Sequence, residues 1–239
     1  MDSPLIPIIH QDDELIVINK PSGLMVHRGW GADAPSLVQI LRDQLSVDRL
    51  HVIHRLDRST SGVMILALHA AAAAALSAAF RERQVRKSYL ALVRGSFRFS
   101  GRLDHPIPKA PGEQRVEAQT SFHCLAQADT KPRETSLVLA HPHTGRTHQI
   151  RRHLKHLNHP IIGDVNYGKG PLNKAARSEY KLSRLALHAW RITLTHPVSG
   201  SPMSWTANLP DSLSLPLEAM GYPLDQLEAH ARRLDAAHT

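Results

Sequence analysis

The chain has 239 residues, of which 42% are hydrophobic, and its 29 lysines and arginines outnumber 21 aspartates and glutamates to give a formal net charge of +8. That hydrophobic content is enough for a large buried core, so the composition excludes a disordered basic tail. The single cysteine, Cys124, excludes an internal disulfide framework and a cysteine-rich zinc site, and is typical of a reducing compartment. The basic surplus makes a polyanion a candidate partner.

The first residues carry no targeting signal. Met1-Asp2-Ser3-Pro4 lacks the basic and apolar regions of a secretory signal peptide. No apolar run approaches the length that spans a bilayer. We therefore expect a soluble, cytoplasmic protein that does not bind a membrane.

The predicted elements begin with two short strands between Leu5 and Asn19, separated by the acidic turn Gln11-Asp12-Asp13-Glu14. Ser36 to Leu45 has helical spacing, and Ser36 is a suitable N-cap. An apolar run from Val63 to Leu68 predicts a buried strand. The alanine-rich segment from about Ala70 to Glu82 predicts a helix, because alanine has the highest helix propensity.

The second half of the chain mixes strands and helices without strict βαβ alternation. This mixture predicts an α+β fold with a mixed, largely antiparallel central sheet flanked by helices. The predicted elements, in order, are a strand at Tyr89–Val93, an irregular stretch at His105–Gly112, strands near Thr120–Leu125 and Ser136–Ala140, a helix at Thr147–Leu157, a loop at Gly163–Ser178, strands at Leu185–Leu187 and Trp190–Leu194, and an amphipathic helix from about Pro216.

The net charge is concentrated in two segments. Arg81 to Arg94 holds five basic residues and one acid, and His141 to Pro160 holds four basic residues and no acid, so the two segments carry the whole surplus. Such runs are usually solvated faces. In the second segment, however, the apolar stripe leaves three basic side chains to project outward together, as phosphate contacts require: Arg151, Arg152 and Lys155.

The segment from His54 to Gly62 has the most informative chemistry in the chain. It places Asp57 between Arg55 and Arg58, and three hydroxyl residues and a glycine follow. A turn or capping aspartate would have the same local pattern. The other interpretation is a carboxylate that the arginines keep ionised, used as a nucleophile or base. Local chemistry does not choose between the two.

Several motifs in a fixed order extend this pattern along the chain. His54-Arg55-Leu56-Asp57 with Thr60-Ser61-Gly62 resembles the signature of RluA-type pseudouridine synthases. The resemblance covers about residue 8 to residue 209. Its other motifs are Asn19-Lys20-Pro21-Ser22-Gly23 with Val26-His27-Arg28, Lys87-Ser88-Tyr89-Leu90-Ala91-Leu92-Val93, Thr144-Gly145-Arg146-Thr147-His148-Gln149-Ile150-Arg151, His159-Pro160-Ile161-Ile162-Gly163-Asp164 and Leu187-His188-Ala189.

This resemblance implies an enzyme that isomerises uridine in RNA to pseudouridine, by breaking the N1–C1′ glycosidic bond and rejoining the ring through C5. The whole chain, 1–239, is then interpreted as one pseudouridine synthase catalytic domain, with a core at about 5–210 and a helical tail at about 211–239. Asp57 is implied to be the catalytic carboxylate. Whether it attacks C1′ or assists elimination to a glycal stays open.

The resemblance also implies roles for four further residues. Arg146 would pair with Asp57 and favour its ionised form, and Tyr89 would line the uracil pocket as the candidate for proton transfer at C5. Ile150 would pack on the uracil face. Arg55 would enter the helix that the target nucleotide leaves, since the base must be flipped out. Taken alone, Tyr89 would be a strand aromatic, Ile150 a core residue and Arg146 a cap or phosphate contact.

The remaining predicted contacts are made to the RNA substrate. His54 and Arg58 join the substrate-binding set. Arg151, Arg152 and Lys155 are assigned to the RNA backbone. No protein partner is evident, and a monomer is compatible with the sequence.

The 17 histidines raise the question of a metal site. His148, His153, His156 and His159 lie close together, but this run contains no carboxylate, and no His-Glu-x-x-His pattern occurs in the chain. We interpret them as RNA-facing or capping residues. The family reaction implies neither a metal nor an organic cofactor.

The target RNA follows from finer features. Because the first catalytic strand is predicted to begin near Leu5, we expect no S4 domain of the kind that many relatives carry before the catalytic domain. The segments around Val26–Trp30 and 151–164 resemble the branch that modifies uridine 65 of tRNA. Ser59, the stretch His105–Glu134 and the tail after Asp211 depart from that branch. The alternatives are a site in 23S rRNA, another tRNA position, or a non-catalytic RNA-binding module.

Overall fold

A computed structural model of the chain describes residues 5–27, 35–110, 112–168 and 170–237. The molecule divides into two compact units, and each is described by itself. The first comprises Met1–Lys87 with Ala189–Asn208, and the second comprises Ser88–His188 with Leu209–Thr239. That the whole chain acts as one catalytic domain stays a prediction. Arg28, Gly29 and Trp30, which belong to the predicted motifs, lie outside the described residues.

The described residues form twelve strands and six helices. The strands are β1 (Ile8–Gln11), β2 (Leu15–Lys20), β3 (His51–Val52), β4 (Ser61–Ala67), β5 (Arg86–Arg94), β6 (Gly101–Asp104), β7 (Ile107–Pro108), β8 (Arg115–Val116), β9 (Gln119–Ala128), β10 (Thr135–Pro142), β11 (Leu187–Thr195) and β12 (Pro202–Thr206). The helices are α1 (Leu37–Leu45), α2 (Ala70–Arg81), α3 (Gln149–His156), α4 (Gly170–Tyr180), α5 (Asp211–Ala219) and α6 (Leu224–Ala237).

The first unit is built on antiparallel pairs. β1 pairs with β2, β2 pairs with β4 from Leu15–Ala67 to Lys20–Gly62, β3 pairs with β4, and β12 pairs with β11. β4 is buried along its whole length, as its continuous apolar run predicted. Helix α1 begins with a capping box in which Ser36 and Gln39 satisfy each other's backbone N–H groups, so the predicted N-cap is confirmed.

The second unit is also antiparallel. β10 pairs with β5 on one side and with β9 on the other, β6 pairs with β9, and β7 pairs with β8 as a separate two-stranded ribbon. Phe97 and Phe122 are fully buried and meet edge to face, with ring centroids 6.1 Å apart. The predicted α+β class with largely antiparallel pairing is confirmed. No helix among the described residues is long and apolar enough to cross a membrane.

Four segments differ from their predictions. The strands predicted at Leu185–Leu187 and Trp190–Leu194 form one continuous strand, β11. Gly163–Ser178 was predicted to be a loop, but its second half forms α4, because Gly170 and Pro171 lie in the first turn, where proline costs no hydrogen bond. The irregular stretch before Gly112 contains β7. The tail forms two helices rather than one, and the first begins at Asp211, before Pro216.

Candidate active site

Asp57 lies in the first unit, in the loop between β3 and β4. Its backbone carbonyl accepts the N–H of Thr60 at 3.1 Å, which makes residues 57–60 a tight turn. Asp57 is half-buried, whereas Arg55 and Arg58 on either side are exposed. The local sequence therefore folds as a turn that begins at the carboxylate, as a functional loop on a rigid scaffold often does.

Gly62, the second residue of β4, determines the backbone conformation where the loop joins the strand. Its φ is +118°, a conformation that favours glycine, and a Cβ built there would overlap the backbone of Ala189. Thr60 and Ser61, just before it, are 2% and 1% exposed. The Thr-Ser-Gly sequence thus places the loop against neighbouring backbone with no room for a side chain at position 62.

Lys20 holds this loop through backbone contacts, a function that its sequence motif did not predict. Lys20 is 0% exposed, and its ammonium group donates to the carbonyl oxygens of Pro21 at 2.8 Å, Leu24 at 2.7 Å and Arg58 at 3.3 Å. A buried ammonium requires such partners, since an unpaired one would cost several kcal/mol. The three bonds tie the turn after β2 to the residue next to Asp57. A lysine at the end of a buried strand was the signal for this role.

Further bonds join the same two segments. The Gly23 N–H donates to the Arg58 carbonyl at 2.8 Å, and the Arg58 Nε donates to the Gly23 carbonyl at 2.9 Å. The Ser22 hydroxyl donates to the carbonyl of Ser59 at 2.7 Å. The side chain of Arg58, predicted to bind substrate, therefore also helps to hold the turn at Gly23.

His54 begins the loop as a neutral imidazole. Its Nε2 accepts the N–H of Ile65 at 3.0 Å, and its ring stacks on Phe80 with centroids 4.5 Å apart. Burial, together with repulsion from Lys87, lowers the pKa of His54 to about 3. The proton consequently stays on Nδ1 at neutral pH. His54 orients the start of the loop without adding charge to it.

Tyr89 and Arg146 lie in the second unit. Tyr89 is half-buried on β5 and pairs with Ala140 of β10. Arg146 is exposed, and its Nε donates to the carbonyl of Glu117 at 3.0 Å. That bond ties the guanidinium group to the backbone just before β9 and so fixes its orientation.

Gln149 fixes the turn that carries Arg146, another function that the sequence patterns did not predict. Its buried Oε1 accepts from the Thr144 hydroxyl at 2.6 Å and from the Arg146 N–H at 3.0 Å. Its Nε2 donates to the Gln119 carbonyl and the Thr120 hydroxyl, each at 2.9 Å. One side-chain amide therefore joins the turn before α3 to β9.

Helix α3 carries the predicted uracil and RNA contacts. Ile150 is 6% exposed and Leu154 is 0% exposed, as the predicted apolar stripe requires. Arg152 donates from Nε to the Tyr167 hydroxyl at 3.0 Å and from Nη1 to the Pro108 carbonyl at 2.6 Å. Lys155 is exposed, and its Nζ lies 5.8 Å from the centre of the Tyr167 ring.

The prediction that Arg151 projects outward with its neighbours is wrong. Arg151 is 4% exposed. Its Nε and Nη2 donate hydrogen bonds to the two carboxylate oxygens of Asp164 at 2.7 and 2.9 Å. Burial alone would raise the pKa of Asp164, but bonds from Arg151 and from the backbone N–H groups of Tyr167 and Asn166 outweigh it and lower that pKa. Arg151 is one helical position from the apolar stripe, close enough to be buried with it.

One of the two histidines of α3 is less exposed than predicted. His153 is 0% exposed, with Nδ1 2.9 Å from the Thr120 hydroxyl and Nε2 2.9 Å from the His105 carbonyl oxygen, so it does not face RNA. His156 is exposed and stacks on His105 with ring centroids 3.6 Å apart. Among the described residues, no group of three or more potential ligands has the geometry of a metal site.

Comparisons with known proteins point to one family. A family model described as RNA pseudouridylate synthase matches residues 14–156. The chain is 42% identical over 215 residues to tRNA pseudouridine synthase C of Pasteurella multocida, covering 80% of this chain and 86% of the relative. It is 33% identical over 244 residues to tRNA pseudouridine synthase C of Haemophilus influenzae, covering 91% of this chain and 99% of the relative.

Solved structures agree with these sequence comparisons. Human RNA pseudouridylate synthase domain containing 1 is similar with a TM-score of 0.75 and 27% identity, and the match covers 95% of each chain. Human RNA pseudouridylate synthase domain containing 4 is similar with a TM-score of 0.72 and 28% identity, covering 90% of this chain and 92% of the other. Both the sequence and the fold therefore match along nearly the whole chain.

Proposed function

The chain belongs to the RNA pseudouridylate synthase family, and we propose that it converts uridine 65 of tRNA to pseudouridine in the cytoplasm. The observation that carries this proposal is the 42% identity, over 80% of the chain, to a relative named tRNA pseudouridine synthase C. The resemblance to RluA-type synthases is thereby confirmed, and the protein is an isomerase. The position within tRNA rests on the resemblance of the segment 151–164 to the uridine-65 branch.

In the proposed reaction the N1–C1′ bond breaks, the uracil ring turns, a C5–C1′ bond forms, and the C5 proton leaves while N1 takes up a proton, so that the product is an isomer of the substrate. We assign to Asp57 the carboxylate that acts at the glycosidic bond, to Tyr89 the proton transfer at C5 and to Arg146 the cation that favours the ionised carboxylate. The hydrogen bonds that hold the turn at Asp57 and the Gln149 network under Arg146 support these roles, since catalytic groups require fixed positions.

Recognition of the substrate requires base flipping, because the reacting atoms are inaccessible in a stacked helix. The exposed Arg55 is proposed to replace the flipped nucleotide, and Ile150 to pack on the uracil. Arg152 and Lys155, which lie around the Tyr167 ring, are proposed to contact phosphates. We leave Arg151 out of that set because its buried guanidinium group is bonded to Asp164.

The test uses purified protein and a tRNA transcript labelled with tritium at C5 of uridine, so that each turnover releases tritium. A matched transcript has cytidine in place of uridine 65. We expect release from the first transcript and none attributable to that site in the second. Asp57→Asn, nearly identical in shape, should lower kcat at least about a thousandfold.

The other outcomes discriminate between the alternatives. Equal release from both transcripts would transfer the target to another tRNA uridine, and release from 23S rRNA fragments alone would make the enzyme an rRNA synthase. Binding of RNA without any turnover would show a non-catalytic binding module and contradict the proposal.

A further inference from the structure

A buried polar cluster connects helix α6 to the strand that carries Tyr89. Ser88 of β5, His141 of β10 and Asp235 of α6 are 2%, 8% and 4% exposed. The Ser88 hydroxyl donates to Oδ1 of Asp235, 147 positions away in the sequence. The same hydroxyl lies 3.2 Å from Nδ1 of His141, which lies 3.7 Å from Oδ1 of Asp235.

The number of protons determines the direction of these bonds. A serine hydroxyl has one proton, and that of Ser88 is donated to Asp235. The contact between Ser88 and His141 is therefore a bond in which Nδ1–H of His141 donates to the hydroxyl oxygen. The three side chains form a directed chain from imidazole to hydroxyl to carboxylate, with the carboxylate as the final acceptor.

This cluster is not a nucleophilic triad, although it has the same residue types. In a triad the hydroxyl and the carboxylate lie at opposite nitrogens of the imidazole, and the hydroxyl faces a substrate. Here both lie at Nδ1, and all three groups are buried. The geometry and burial of the cluster therefore exclude nucleophilic catalysis by Ser88.

Docking of α6 does not by itself explain Asp235. Leu227, Ala231 and Asp235 are buried at successive four-residue intervals, so the carboxylate occupies the next position of an apolar stripe. An apolar residue there would dock the helix without the cost of burying a charge. The specific feature that the carboxylate adds is an acceptor for Ser88.

The cluster lies directly beside Tyr89. The pairing of β5 with β10 runs from Arg94–Thr135 to Tyr89–Ala140, and Ser88 and His141 are the next residue on each strand. Because neighbouring residues of a strand face opposite sides, fixing Ser88 fixes the backbone from which Tyr89 projects the other way.

We propose that Asp235 is a positioning residue for catalysis, which holds Tyr89 in place by accepting the hydrogen bond of Ser88. The proposal rests on the proposed function, in which Tyr89 transfers the C5 proton. It gives the tail an active part in the reaction, through a contact inside the second unit. A loosened Tyr89 slows the chemical step and leaves the binding of RNA unchanged.

The test compares Asp235→Leu, which keeps a buried apolar stripe on α6, with Asp235→Asn, which keeps an acceptor for Ser88. Asp225→Leu, at an exposed position of the same helix, is the matched control. We expect Asp235→Leu to lower kcat for tRNA about tenfold with KM unchanged, while Asp235→Asn and Asp225→Leu stay near wild type. If Asp235 acts through Ser88, adding Ser88→Ala to Asp235→Leu should produce no further loss.

An unchanged kcat in Asp235→Leu would overturn the proposal, and so would a rise in KM alone, which would make α6 an RNA contact. Should Asp235→Leu not fold, Ser88→Ala provides the same test by removing one oxygen, and full activity in it would overturn the proposal. If the wild type forms no pseudouridine, the proposed function fails instead. Amide hydrogen exchange of β5 then tests whether Asp235 holds the strand. Faster exchange in Asp235→Leu, but not in Asp235→Asn or Asp225→Leu, supports that role, and unchanged exchange in Asp235→Leu contradicts it.

Discussion

The two units hold a buried cation in different ways. In the first unit, Lys20 donates to three backbone carbonyls that belong to two separate segments. In the second unit, Arg151 makes two bonds to one carboxylate, that of Asp164. The first arrangement fixes the path of the backbone, and the second neutralises a buried charge. The two cations should therefore respond differently when they are removed.

Two glycines test how tightly the backbone of each unit is packed. Gly62 and Gly101 have φ values of +118° and +123°, but only at Gly62 would a Cβ overlap other backbone, since nothing lies within 4 Å of it at Gly101. We expect Gly62→Ala to cost more than about 4 kcal/mol in the free energy of unfolding and Gly101→Ala about 1 kcal/mol. Urea unfolding followed by circular dichroism measures both. Equal costs would show that conformation alone, without the packing at Ala189, matters at position 62.

Removal of the first cation should affect stability and activity together. Lys20→Met keeps the length of the side chain but leaves three carbonyl oxygens without this donor, so we expect a loss of about 3 kcal/mol in unfolding free energy. We also expect a fall in kcat, because the backbone next to Asp57 is released. Arg49→Met, at an exposed position of the same unit, is the control. A stable, fully active Lys20→Met would show that the loop needs no such anchor.

Removal of the second cation should affect stability in a pH-dependent way. Arg151→Met leaves Asp164 buried without its cation, and we expect a loss of about 3 kcal/mol at pH 7. The pKa of Asp164 is lowered from the ordinary 3.8, so the pair stabilises the fold above about pH 4, and this contribution is lost as the pH falls further. Unfolding curves of wild type and Arg151→Met should therefore converge in acid. A difference that is constant with pH would contradict the ion pair.

At pH 7 the smallest expected effect is at His54, whose contribution appears in acid as a slope of stability against pH. Its pKa is lowered to about 3, so between about pH 6.5 and pH 3 the unfolded chain binds a proton that the folded chain does not. Stability therefore falls as the pH falls through that window, by up to about 1.4 kcal/mol per pH unit. His54→Gln should remove this part of the slope in urea titrations at several pH values. An identical slope in the variant would mean that His54 titrates normally.

Much of the fold follows from local patterns in the sequence. The apolar run at β4 and the serine cap of α1 predicted their elements because the deciding interactions lie within a few residues. The loop predicted at Gly163–Ser178 was wrong because Gly170 and Pro171 suggest a break unless their place in a first turn is known. The tail divides into two helices because Gly221, with a φ of +87°, follows the end of the first, whereas Pro216 is accommodated inside that helix.

In the candidate site, too, the features set by local sequence were predicted and those set by distant contacts were not. The turn at Asp57 is local, and the order of the motifs made it recognisable. The partners of Lys20, Gln149 and Asp235 come from distant segments, so no local pattern contains them. Arg151 shows the same limit, because helical spacing places it at the margin of the stripe and only the presence of Asp164 decides that it is buried.

Gln149 has a further consequence for the chemical lifetime of the molecule. Its amide oxygen accepts two hydrogen bonds and its amide nitrogen donates two, so each end of the group faces partners of one kind. Deamidation to glutamate would preserve the shape and set an oxygen against the Gln119 carbonyl in place of a donor. Damage of this kind would leave the chain intact and its composition almost unchanged, yet it would loosen the turn at Arg146.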